Sequence, residues 1–155
     1  MLTYEDFKAK PKKGGMIAAL ANVSIDPVVI NQTLQGIQLT VTALFNTELS
    51  WMKEEAKGEA YVLNHEQGHF DIFEIFARRC RKALTEAKLT NKTAAKKVSK
   101  IVEKNRQQAI KYQDKYDEQT QHSLKVAKQE EWNKKIAEEL KELEAFSSPI
   151  LEITY

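Results

Sequence analysis

The chain has 155 residues, 42% of them hydrophobic, a length at which one domain around one core, spanning residues 1–155, is expected. Its 24 Lys and Arg nearly balance 22 Asp and Glu, and a net charge of +2 lacks the basic excess that nucleic-acid partners require, so no nucleic acid is expected among its partners. No apolar run approaches the roughly 20 residues of a membrane span, and the opening Met1-Leu2-Thr3-Tyr4-Glu5-Asp6 lacks the basic-then-apolar order of an export signal.

The stretch from Ala18 to Ile25 reads as a short strand. Asp26-Pro27, the polar Asn31-Gln32-Thr33 and Gly36 supply turn chemistry leading to a second strand. There Ile37, Leu39, Val41, Ala43 and Phe45 alternate with Gln38, Thr40, Thr42 and Leu44, which predicts an antiparallel strand with one buried face. From about Glu59 the period becomes helical, with Val62, Leu63, Phe70, Phe73, Phe76, Ala77, Cys80 and Leu84 recurring at spacings of three and four. Thr90-Asn91 signals the start of a second helix bearing Val98, Ile101, Val102, Ala109 and Ile110. Leu124, Val126, Trp132, Ile136, Leu140 and Leu143 mark its continuation or a third helix, which Ser147-Ser148-Pro149 stops. The tail from Ile150 alternates again, with Leu151, Ile153 and Tyr155 on one face, and is expected to rejoin the N-terminal sheet. Lys92, Lys96, Lys97, Lys100 and Lys104 read as a solvated helix face, and the same reading extends to Arg78, Arg79, Arg81 and Lys82. The predicted class is α+β, N-terminal antiparallel strands packed on long helices.

Within the first helix lies His65-Glu66-Gln67-Gly68-His69, an HExxH pattern. Residues four apart on a helix lie about 40° apart around its axis, so the two imidazoles can chelate one ion. Glu66 can then lean over water at the ion, take its proton, and pass it to a leaving amine. Leu63, Phe70, Phe73 and Phe76 surround the motif, and a charged Glu66 among them would be costly to bury without a cation. A catalytic zinc keeps three protein ligands and an open fourth position, and the chain has three histidines, so His122 is the first choice for the third ligand and Glu118 the second. Asp71 and Glu74 fall about 200° and 140° around the helix from His69 and cannot point at the same ion. The metzincin spacing fails too, because Ile72 and Ile75 stand where Gly and His are needed. Tyr116 and Tyr112 are candidates to stabilise an oxyanion, with core packing as the competing role. Asp117 is a candidate to orient a ligand imidazole through its far N–H. Cys80, the only cysteine, lies on the apolar stripe and reads as a small buried hydrophobe.

Taken together, the opening Leu2-Thr3-Tyr4-Glu5-Asp6-Phe7, the pair Ser50-Trp51, the block Asn64 to Ile72 and the distal Tyr116-Asp117, Thr120, His122, Gln129 and Trp132 cover most of the chain. They resemble the bacterial domain of unknown function nine-two-two, a family grouped with the zincin-like peptidases and labelled a secreted zinc-dependent protease. A glycine often follows the distal histidine in that family, where this chain has Ser123. The resemblance implies a zincin-like fold, bound Zn2+, a hydrolase role and export to the bacterial envelope or beyond.

The leading expectation is therefore a zinc-dependent hydrolase acting on a peptide or protein substrate. His65, His69 and His122 hold the ion, Glu66 is the general base, and Tyr116 is the first candidate for the oxyanion. The strand from Ile37 to Phe45 is expected to offer an edge to an extended peptide. The alternative is a non-catalytic envelope binding or scaffold module with a structural zinc. A third reading is a metal-free helical interaction domain.

Overall fold

Alternating apolar residues between Gly36 and Phe45 build the central strand of a three-stranded antiparallel sheet in a computed structural model of the chain, which describes residues 1–11, 14–15 and 17–155. In chain order the elements are β1 (Ala19–Leu20), β2 (Val23–Gln32), β3 (Gly36–Phe45), β4 (Trp51–Met52), α1 (Ala60–Glu86), α2 (Ala94–Thr120), α3 (Val126–Glu142) and β5 (Ile150–Thr154). The sheet order is β2-β3-β5, and β1 pairs separately with β4. The molecule is thus α+β, with antiparallel strands and three long helices. None of the described helices is long and apolar enough to cross a membrane.

On β3, Ile37, Leu39, Val41 and Ala43 are buried, and the intervening residues face outward. The tail returns as expected, with β5 pairing antiparallel to β3 and Leu39 opposite Leu151. Gly36 allows the close approach of β5 there, since a Cβ on it would lie 2.6 Å from the Ile153 carbonyl oxygen.

Two local expectations fail. The strand predicted from Ala18 to Ile25 is split, because the Asn22 N–H turns to the buried Ser50 hydroxyl (2.9 Å) between β1 and β2. Asp26-Pro27 is no turn but lies inside β2, and the reversal comes at Thr33, whose N–H bonds the Gly36 carbonyl. Proline is tolerated because Val41, opposite Pro27, directs its own N–H to Pro149 on the other side. Pro27 therefore sits at a position of an edge strand where β3 asks for no donor.

Helix α1 lays Ile72, Phe73, Phe76, Ala77, Cys80 and Leu84 in the same core as the β3 residues, with Val98, Val102 and Ala109 of α2 and Trp132 and Ile136 of α3. Cys80 is wholly buried, and burial pushes its thiol pKa up to about 11, in keeping with a packing role. Arg81 departs from the solvated face assigned to it. It is 1% exposed, and its guanidinium donates to Glu74 (2.7 Å) and to the Ser147 carbonyl (2.7 Å). Arg78 likewise donates to the Leu140 carbonyl (2.7 Å) and to Glu74 (2.9 Å). Both arginines thus bind carbonyls at and beyond the end of α3 and fasten α1 to it. The N-terminal segment is tied to α1 as well, through the Leu2 N–H donating to Gln67 Oε1 (2.7 Å) and through the cluster of Phe7, Ala19, Met52 and Ala56, against which Val62 and Leu63 of α1 pack.

Candidate metal centre

Four residues along α1 place His65 and His69 on one face, and both rings are buried where α2 crosses them. Their Nε2 atoms converge on one atom of α2, Oδ1 of Asp117, at 3.1 Å each. His65, His69 and Asp117 each offer one donor atom, and the three lie within 4.8 Å of one another. His122 falls outside that group. It is exposed at the rim, yet its Nδ1 is 3.5 Å from the same Asp117 oxygen. All four residues line a cleft of about 150 Å³ together with Glu66 and the strand residues around β1.

The structure thus brings His65, His69 and Glu66 together as expected and places His122 beside them. Asp117 stands on the metal-facing side of both imidazoles instead of behind one of them. The residue behind His65 is Gln129 of α3, fully buried, with Oε1 2.9 Å from Nδ1. Glu118, one position on, is exposed and does not line the cleft. Asp71 accepts from Gln67, and Glu74 is engaged by the two arginines, so neither reaches the cluster.

Tyr116 and Tyr112 do not line the cleft either. Tyr116 is wholly buried, stacked on the His65 ring (4.7 Å between centroids, 14° between planes), and its hydroxyl donates to the His65 carbonyl (3.0 Å). Tyr116 thus packs against α1 outside the cleft, the core-packing role weighed against the catalytic one. Tyr112 spends its hydroxyl on Glu139. Gly68 is what lets Tyr116 lie so close, since a Cβ there would land on the Tyr116 hydroxyl and 2.8 Å from its Cζ. A glycine in mid-helix is the sequence signal for such an approach, whereas Gln129 and Asp117 carry no comparable signal.

The electrostatics match a cation site. Burial raises the Glu66 pKa, against the two imidazoles and the Ala21 N–H that favour its charged form. Its Oε2 is buried with no hydrogen-bond partner among the described residues, as is His69 Nδ1. Burial works to raise Asp117 as well, but the hydrogen bonds from His65 and His69 hold its carboxyl well below the usual range. Burial works to lower His69, and Asp117 with Glu66 overcomes it, leaving the pKa raised. A tetrahedral zinc with bonds of about 2.0–2.1 Å has ligand-to-ligand edges of roughly 3.3–3.4 Å. The 3.1 Å separations of the two Nε2 atoms from Oδ1 come close to two of those edges, so His65, His69 and Asp117 could hold a metal ion. Because His69 must give up its proton to bind a metal ion, uptake of such an ion should release protons and strengthen as pH rises through the pKa of the metal-free site. Calorimetry in buffers of different ionisation heat checks this, and buffer-independent heats would contradict it.

The rim carries backbone strain. Gln121, His122 and Ser123 have φ of 50°, 50° and 77°, left-handed values that side chains with a Cβ rarely adopt. The turn is held by the His122 N–H donating to the Asp117 carbonyl (3.1 Å) and the Lys125 N–H donating to that of Thr120 (2.8 Å). Glycine adopts such a φ without the steric cost that a side chain carries. Ser123→Gly is expected to raise stability by about 1 kcal/mol, read as an upward shift in thermal midpoint.

Fold and site define an α+β protein whose first long helix presents an HExxH segment to a cleft, with two histidines and an aspartate able to hold a metal ion. The chain belongs to the family described as bacterial protein of unknown function (DUF922), whose model matches residues 11–123. The matched span contains His65, Glu66, His69, Asp117 and His122 and ends before α3. Searches of curated proteins and of solved structures gave no significant match.

Proposed function

We propose that the protein is a zinc-dependent hydrolase, a peptidase of zincin-like architecture, with Glu66 as general base. The observation that carries this reading is the convergence of His65 Nε2 and His69 Nε2 on one carboxylate oxygen beside a buried Glu66. His65, His69 and Asp117 would hold the ion, with His122 at the rim. Bound zinc supplies Lewis acidity, which acidifies water and polarises a carbonyl. Glu66 lines the cleft with a carboxyl whose pKa burial has raised, which suits a group that takes a proton from water and returns it to a leaving amine. The Ala21 N–H holds that carboxylate from the strand side.

Substrate binding shifts from the strand first expected. β3 is the central strand, paired with β2 from Ile37 to Phe45 and with β5 from Gly36 to Thr40. Among the described residues β1 pairs with β4 alone, and the stretch from Ile17 to Ala21 lines the cleft. An extended peptide pairing there would lie over Glu66 and the histidines. Export to the bacterial envelope or beyond belongs to the same proposal and rests on the family resemblance.

The test is protein purified without chelator, assayed for zinc content and for cleavage of a peptide library. Glu66→Gln is expected to keep its zinc and lose about 10²–10⁴-fold in hydrolysis, the usual contribution of a general base. Equal hydrolysis by both proteins would exclude Glu66 from that role. A second reading, a scaffold module with structural zinc, is favoured by His122 Nδ1 standing 3.5 Å from Asp117. A fourth protein ligand would close the coordination sphere and leave no position for water. In that case zinc is retained, chelation lowers the thermal midpoint sharply, and no peptide is cleaved by the parent.

A further inference from the structure

We propose that the protein docks peripherally on an anionic lipid surface through the end of the molecule where the β2–β3 hairpin meets the start of α2. Lysines there meet the head groups, and Ile30 and Leu34 enter the interface. The inference goes beyond the metal reading and does not depend on it.

The sequence keeps two kinds of surface apart. From Lys88 to Lys104 there are six lysines and one acidic residue, Glu103, a net charge of +5 in a chain whose total is +2. Between Asp26 and Glu48 there is no charged residue at all. The fold compensates neither stretch. Among the described residues none of the six lysines enters an ion pair, and Glu103 is turned to Arg106 (3.9 Å). Lys97 spends its ammonium on the Lys88 carbonyl, and the other five lysines are exposed. On the hairpin, Val28, Ile30 and Leu34 are 58%, 54% and 82% exposed.

Tertiary contacts bring the two surfaces together. At the end of β2, Gln32 Nε2 donates to Asn91 Oδ1 (3.1 Å), in the loop between Lys88 and Lys92. Val29 and Gln32 line one groove with Ala95 and Ser99 of α2. The apolar tip of the hairpin therefore sits beside unpaired cations.

Each feature is unfavourable for the molecule alone. An edge strand is ordinarily protected by charge, lysine above all, whereas this end of β2 carries none and exposes aliphatic side chains. A helix favours acidic residues in its first turn and basic ones in its last, whereas α2 has Lys96 and Lys97 in the first and Asp117 and Glu118 in the last. Unneutralised like charges also repel one another. An anionic bilayer relieves all three, because its head groups neutralise the lysines and its interface takes up the aliphatic side chains. A nucleic-acid backbone would satisfy the lysines and leave Ile30 and Leu34 in water. Lys96 and Asp117 lie near opposite ends of α2, about 30 Å apart at 1.5 Å per residue, so docking by the lysine-bearing end leaves the metal cleft away from the contact.

The experiment floats the full chain with phosphatidylcholine vesicles, with and without phosphatidylglycerol. Recovery is expected with the anionic vesicles alone and should fall as salt rises. Lys92→Ala and Lys96→Ala are each expected to weaken binding about 5-fold, the share of one lysine near a charged surface. Leu34→Ser is expected to weaken it about 10-fold, and Leu34→Trp to bind with its emission shifted to the blue. All three positions are exposed, so the variants keep the fold. Failure to float with anionic vesicles, or equal recovery with both kinds, overturns the proposal. So does an unmoved Leu34→Trp emission, or binding that Leu34→Ser leaves unchanged while duplex DNA binds as tightly, which would mark the lysines as a general polyanion surface.

Discussion

Asp117→Ala is expected to weaken zinc binding by roughly 100-fold or more, the upper end of what losing even an indirect partner of a ligand costs. Glu118→Ala is expected to leave zinc binding unchanged. The contrast follows from geometry. Asp117 Oδ1 is the atom on which both buried Nε2 atoms converge, whereas Glu118 is exposed and away from the cleft. Competition with a chromogenic chelator measures both variants. Equal affinities for Asp117→Ala and the parent would remove Asp117 from the ligand set and return the third position to His122. The pH dependence of stability provides a second reading on metal-free protein. The Asp117 carboxyl is held below its ordinary range in the folded state, so its contribution to stability is present above the unfolded-state pKa and is lost as pH falls through the folded-state value. Asp117→Ala should therefore show a shallower loss of stability on the acid side than the parent.

Gly68→Ala is expected to destabilise the protein by about 3 kcal/mol, the upper part of the range for overpacking a filled core. For a domain of this size that corresponds to a fall in thermal midpoint of roughly 6–12 °C. In an ordinary helix interior the same change would stabilise by up to about 1 kcal/mol, so the sign alone is diagnostic. The added methyl would meet the Tyr116 hydroxyl and ring, both held by packing against His65 and Trp132, so neither can yield cheaply. Displacing Tyr116 would also disturb His65, and zinc affinity should fall along with stability. A variant as stable as the parent would mean that α1 and α2 can part at this point without cost.

Much of the fold could be read before any coordinates. The two-residue period of β3 and β5 and the three-and-four spacing of α1 to α3 are local consequences of which faces must leave water, so sequence displays them directly. The break between β1 and β2 could not be read that way, because it depends on a buried hydroxyl of Ser50 far along the chain. Nor could the passage of β2 through Pro27, which depends on that strand being an edge. Arg81 misled for a similar reason. Its neighbours in sequence look solvated, but beyond Glu74 and Ala77 of its own helix its guanidinium is satisfied by the Ser147 carbonyl after α3.

The site divides along the same line. His65, Glu66 and His69 share one turn of one helix, and helical geometry by itself brings two imidazoles and a carboxylate to one face and dismisses Asp71 and Glu74. What completes that face comes from other helices, and there sequence ranks candidates only by residue type. Asp117 and Glu118 are adjacent and chemically alike, and lie about 100° apart around α2. Only the rotation of α2 against α1, set by Tyr116 filling the space that Gly68 leaves, decides that Asp117 reaches the histidines and Glu118 does not. The seating of Gln129 behind His65 is likewise a product of how α3 docks on both helices. The sequence alone therefore determined the turn that brings two imidazoles and a carboxylate to one face of α1. Tertiary packing decided which carboxylate faces that turn and which amide holds its first histidine, because such contacts depend on the relative rotation of helices that no local pattern encodes.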